Sequence, residues 1–69
     1  MNTYTAIVKK RGEWWIGWIE EVPGVNAQER TRELLHASLK EVLAEALEFN
    51  REEARLAAEE GYTEELVQV

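Results

Sequence analysis

The chain has no cysteine, so neither a disulfide nor a thiolate metal site can staple it. It also has no aspartate: all fourteen acids are glutamates. A magnesium nuclease centre needs several carboxylates converging from strand positions. In the segment that reads as the first hairpin, the only acids are Glu13 at the turn and Glu20 at the far end. Histidine occurs once, as His36, with no second His and no Cys to join it in ligating a metal. His36 is read as a flank or interface residue. No catalytic residue, metal ligand or cofactor is expected, and the chain is not expected to be an enzyme. No apolar run approaches the roughly 20 residues needed to span a bilayer, and no signal-peptide core is present. A cytoplasmic protein with no membrane partner is expected.

Sixty-nine residues make a single domain, residues 1–69, with a core near the lower limit for independent stability. Without staples, such a chain needs very good packing or a partner subunit, so a homo-oligomer, dimer or tetramer, is expected. The net charge of −6 is unevenly spread. Residues 1–19 carry Lys9, Lys10, Arg11 and Glu13, a balance of +2, whereas residues 20–69 carry five basic and thirteen acidic residues, a balance of −8. Such an acidic surface repels phosphate, which argues against nucleic acid as a direct ligand and for a basic protein as one.

Met1 and Asn2 are expected to fray. Residues 3–10 open on Tyr4, Thr5, Ile7 and Val8, whose β-branched and aromatic character predicts a strand. Arg11-Gly12 is read as the turn and residues 14–20 as the partner strand. That loop would set Val8 opposite Trp15, Ala6 opposite Gly17 and Tyr4 opposite Ile19 on one face. The other face would hold Lys9 with Trp14, Ile7 with Ile16, and Thr5 with Trp18. The first face has a shallow centre at Ala6 and Gly17 where a helix can approach closely. The second, with Ile7, Trp14, Ile16 and Trp18, is too apolar for a solvated sheet face. These four residues are the candidate protein interface.

Pro23-Gly24 marks a corner, because Pro lacks a ladder donor and Gly tolerates positive φ. Val25 and Ala27, with polar Asn26 and Gln28 between and after them, suggest a short third strand ending near Glu29. Thr31 is the expected N-cap, with Glu33 in the positively polarised first turn. Leu35, Leu39, Val42, Ala46 and Phe49 recur at spacings of four, three, four and three, which is one face of an α-helix. Residues 51–60 should continue this helix or form a second one after a break near Asn50. Gly61 is the natural C′ residue. Leu66, Val67 and Val69 suit a final strand over residues 64–69.

This order, β-β-β-α-β, with Tyr4-Thr5-Ala6-Ile7-Val8 opening the first strand, resembles the HicB-like antitoxin family. Gly12-Glu13-Trp14-Trp15-Ile16-Gly17-Trp18 resembles the family's aromatic-then-small second strand. Glu21-Val22-Pro23-Gly24-Val25 resembles its Pro-Gly corner, and Thr31-Arg32-Glu33-Leu34-Leu35 its helix start. Two positions depart: Glu20 stands where the family often has a first Pro, and Arg30 where a small polar residue is usual. The resemblance is to a short, single-domain form without a DNA-binding domain. It implies a small α+β domain, a mainly antiparallel, partial ribonuclease-H-like sheet packed on one long helix. It also implies the function: an antitoxin of a type II toxin-antitoxin system that binds a HicA-type mRNA-cleaving toxin and occludes its active site. The alternative is an orphan HicB-like homo-oligomeric scaffold or regulator with no toxin partner.

Overall fold

The computed structural model describes residues 3–69, so the expected fraying of Met1 and Asn2 lies outside the described residues. Three antiparallel strands, β1 (Ala6–Arg11), β2 (Trp14–Ile19) and β3 (Asn26–Glu29), form a sheet in the order β1-β2-β3. A single helix, α1 (Arg32–Ala58), follows and lies across β2 and β3, leaving β1 beside it. The protein is a small α+β fold.

The first hairpin turns at Gly12-Glu13, one residue later than expected. Gly12 takes φ 62°, the left-handed geometry wanted at the first loop position of a two-residue hairpin. Ala6 therefore pairs with Ile19, Val8 with Gly17, Ile7 with Trp18 and Arg11 with Trp14. Each β1 residue is offset by two from its expected partner. Because side chains alternate with a period of two, this offset leaves both faces with the same members. The hairpin extends past the strands through the Glu20 N–H, which donates to the Thr5 carbonyl at 2.9 Å.

The Pro23-Gly24 corner is a tight turn. The Val25 N–H donates to the Val22 carbonyl at 3.4 Å, and Gly24 has φ 88°. Pro at the second position and a positive-φ Gly at the third match a type II turn. The turn delivers Val25 into the core, where the Ile19 N–H donates to its carbonyl at 3.0 Å.

Thr31 caps α1: its backbone is extended, and its Oγ1 accepts from the Leu34 N–H at 3.1 Å. The apolar stripe then meets the sheet. Leu35 and Leu39 are buried against Ile19 and Val25, with Val42, Leu43 and Ala46 packed around them. Gly17 makes the close approach feasible, since a Cβ there would stand 3.2 Å from both Leu35 Cδ2 and Leu39 Cδ1. A half-buried hydrogen bond from Ser38 Oγ to Glu29 Oε2 (2.6 Å) ties α1 to β3.

The helix is unbroken at Asn50. No Gly or Pro interrupts it, and Glu48 reaches Arg51 at 3.6 Å and Arg55 at 3.9 Å on its exposed surface. At 1.5 Å per residue its 27 residues span about 40 Å, roughly twice the length of the strands beneath. The molecule is accordingly 51 Å long, and its 15.2 Å radius of gyration exceeds the ~11 Å typical of a compact domain this size. Beyond Leu47 the helix overhangs the sheet, and Phe49 and Leu56 on that overhang are exposed.

Two expectations at the helix end are corrected. Glu59, not Gly61, terminates α1: it adopts φ 60° and its N–H donates to the Arg55 and Leu56 carbonyls at 3.2 and 3.3 Å. The fourth strand over residues 64–69 is not formed, so the order is β-β-β-α and not β-β-β-α-β. The overhang carries residues 64–69 away from any sheet edge. Leu66, Val67 and Val69 are fully exposed, while Tyr62 and Thr63 turn back beside Ala54 and Ala58.

Candidate protein interface

The sheet face turned away from α1 holds Ile7 from β1 and Trp14, Ile16 and Trp18 from β2. This is the set expected from alternation, and the structure brings all four onto one surface. Trp14 and Trp18 are 37% and 41% exposed, while Ile7 and Ile16 are half-buried between them. No described segment covers this face; residues 59–69, the one stretch free to do so, lie at the far end of the helix.

The margin of the face is polar and, on balance, basic. Lys9 and Arg11 follow Ile7 on the same face of β1, and Asn26 and Gln28 stand opposite Trp18 and Ile16 on β3. At one end the Arg30 guanidinium lies over the Trp14 ring, 4.2 Å from its centroid, and Nη1 sits 3.2 Å from Glu13 Oε1. A cation over an exposed indole is worth about 0.5–1 kcal/mol, and the exposed ion pair adds little. Their effect is positional: Glu13, at the hairpin loop, pairs with the guanidinium of Arg30, just past β3, that lies over Trp14. Arg30 is one of the two departures from the HicB-like pattern, and the sequence alone did not reveal this role.

The helix-side face differs. Trp15 is half-buried there, with the Arg32 guanidinium 5.4 Å and the Lys10 ammonium 5.7 Å from its centroid. Because α1 passes over β2 and β3, the helix-side surface of β1 forms one wall of an open groove of about 670 Å³. Tyr4, Ala6 and Val8 make its apolar floor. Arg32, His36 and Lys40, three exposed residues of α1 spaced four apart, make its opposite rim. Sequence reading followed the apolar stripe of α1 and missed this basic row, although the spacing of four was there to find.

Among the described residues, no group of three or more His, Cys, Asp or Glu side chains is placed to hold a metal ion. One titratable group among the described residues is shifted. Glu21 Oε1 accepts a hydrogen bond from the Thr5 backbone N–H at 2.8 Å, which holds its carboxyl below the usual carboxylate range. This bond stitches the start of the chain to the corner and has no partner suited to acid–base chemistry. No helix among the described residues is long and apolar enough to cross a membrane.

Comparison with known proteins finds no matching family model, no similar curated protein and no similar solved structure.

Proposed function

We propose that the chain works by binding protein, as a HicB-like antitoxin that occludes a small basic ribonuclease of the HicA type. The observation that carries the protein-binding part is the uncovered face of Ile7, Trp14, Ile16 and Trp18. Two large aromatics stand exposed on a sheet only three strands wide, and aromatic clusters of this kind are enriched at interface centres. The antitoxin part rests on the resemblance in strand two, the corner and the helix start. The acidic surface of α1, with Glu41, Glu45, Glu48 and Glu52 exposed, is where a basic toxin would be drawn.

A second reading, the orphan homo-oligomer, is favoured by the charge around the tryptophan face. Lys9, Arg11 and Arg30 on its margin oppose a basic partner there. The two readings combine readily: the tryptophan face as the seam between copies and the acidic helix as the toxin-facing surface. Capture of the chain from its native cytoplasm, with bound species identified by mass, tests the antitoxin reading. A small basic protein at fixed ratio supports it; recovery of this chain alone, in two or four copies, leaves the homo-oligomer.

A further inference from the structure

The groove between β1 and α1 lies on the opposite side of the sheet from the tryptophan face and goes beyond the function proposed above. We propose that it receives residues 62–69 of a second copy, which add as a strand along the free edge of β1, the exchange being reciprocal.

Three observations converge on this occupant. The first is the receiving surface. β1 is an edge strand, so no described strand pairs with its outer N–H and C=O groups. Such an edge templates the addition of an extended segment. The groove beside it has an apolar floor in Tyr4, Ala6 and Val8 and a basic rim in Arg32 and Lys40, with His36 between them.

The second is the chemistry of the segment. Glu64-Glu65-Leu66-Val67-Gln68-Val69 places two carboxylates directly before a short β-prone apolar run. Leu66, Val67 and Val69 are fully exposed, and Glu64 has only a 3.9 Å contact to Arg55. The carboxylates suit the basic rim and the apolar run suits the floor.

The third is reach, which keeps Glu64 and Glu65 from the chain's own basic row. The basic row begins at Lys40, eighteen residues before the helix ends at Ala58, which is about 27 Å back along the axis. After the reversal at Gly61, Glu65 lies four residues on and can return at most about 14 Å even when fully extended. The charges cannot meet within one molecule. Between two copies with antiparallel helices they can, because the overhang of each helix carries its residues 62–69 toward the other's groove. Such an isologous arrangement closes as a two-fold dimer and lays the exposed Phe49 and Leu56 beside the partner.

Because the chain has no cysteine, the test can use single engineered thiols. Ala6→Cys chains are mixed with isotopically labelled Leu66→Cys chains and treated with a short bis-maleimide, and the products are weighed. The proposal predicts a covalent dimer containing one chain of each kind. It predicts loss of that product on Arg32→Glu/Lys40→Glu reversal and its return when Glu64→Lys/Glu65→Lys is added in the other chain. The product should persist in a Trp18→Glu background, since the groove faces the other way. Absence of a mixed dimer would overturn the proposal. So would a doubly substituted chain that cross-links only within itself, or a mixed dimer that disappears with Trp18→Glu while charge reversal leaves it untouched.

Discussion

At Gly17 the helix lies close over the sheet, and adding a side chain there has a calculable consequence. A Cβ at this position would lie 2.9 Å from the Ile7 carbonyl oxygen and 3.2 Å from the terminal methyls of Leu35 and Leu39. Neither leucine can swing aside, since both are buried at the centre of the core. The carbonyl belongs to the neighbouring strand and can move only if β1 moves. Overpacking of this kind costs about 1–3 kcal/mol. Replacing glycine by alanine restores about 0.4–1 kcal/mol through the unfolded chain, so Gly17→Ala should be mildly destabilising. Valine adds two methyls directed at Leu35 and Leu39, and its strand preference, within a scale of about 1 kcal/mol, offsets only part of that. Gly17→Val should therefore cost about 2 kcal/mol. With a urea dependence of about 1 kcal/mol per molar for so small a chain, the midpoint should fall by about 2 M. Far-UV circular dichroism at matched protein concentration is the assay, since self-association would otherwise shift the midpoint. An unchanged midpoint for Gly17→Val would refute the reasoning, because the helix would then not rest on this strand.

Three further outcomes follow from named bonds. Thr31→Ala removes the oxygen that accepts from the Leu34 N–H and should cost about 1 kcal/mol in denaturant unfolding, with Thr31→Ser close to wild type. Ser38→Ala removes the donor to Glu29 Oε2 in a half-buried setting and should cost about 1 kcal/mol, read from the same transition. Glu21 has a carboxyl held below the usual range by the Thr5 N–H, so its contribution is complete at neutral pH. That contribution is lost as pH falls through the lowered folded-state value; Glu21→Gln should lack this acid-side loss, and a carboxyl titration by NMR should place Glu21 below the ordinary glutamate value.

Much of this architecture was legible in residue types. Alternation in Tyr4-Thr5-Ala6-Ile7-Val8 and Trp14-Trp15-Ile16-Gly17-Trp18-Ile19 assigned every hairpin residue to its face. That assignment survived a loop placed one residue early, because the resulting offset was even. Pro23-Gly24 and Thr31 announced a turn and a cap through local chemistry that tertiary context had no reason to override. The helix end and the fourth strand were harder to read. Leu66, Val67 and Val69 have strand propensity, but propensity does not provide an edge to pair with, and an unbroken helix of 27 residues carries them beyond their own sheet. Arg30 over Trp14 and the row Arg32, His36 and Lys40 were missed for a different reason: each depends on where a basic side chain lies relative to a strand distant in sequence.

Sedimentation equilibrium of the wild-type chain beside Trp18→Glu, with circular dichroism of both, tests the central claim most directly. If the tryptophan face is the seam between copies, the wild type should sediment at two or more times 8.0 kDa, and Trp18→Glu should lower that multiple while keeping its helical signal. Equal masses for the two folded proteins would contradict self-association through this face, and loss of all folded signal in Trp18→Glu would make Trp18 a residue of the core.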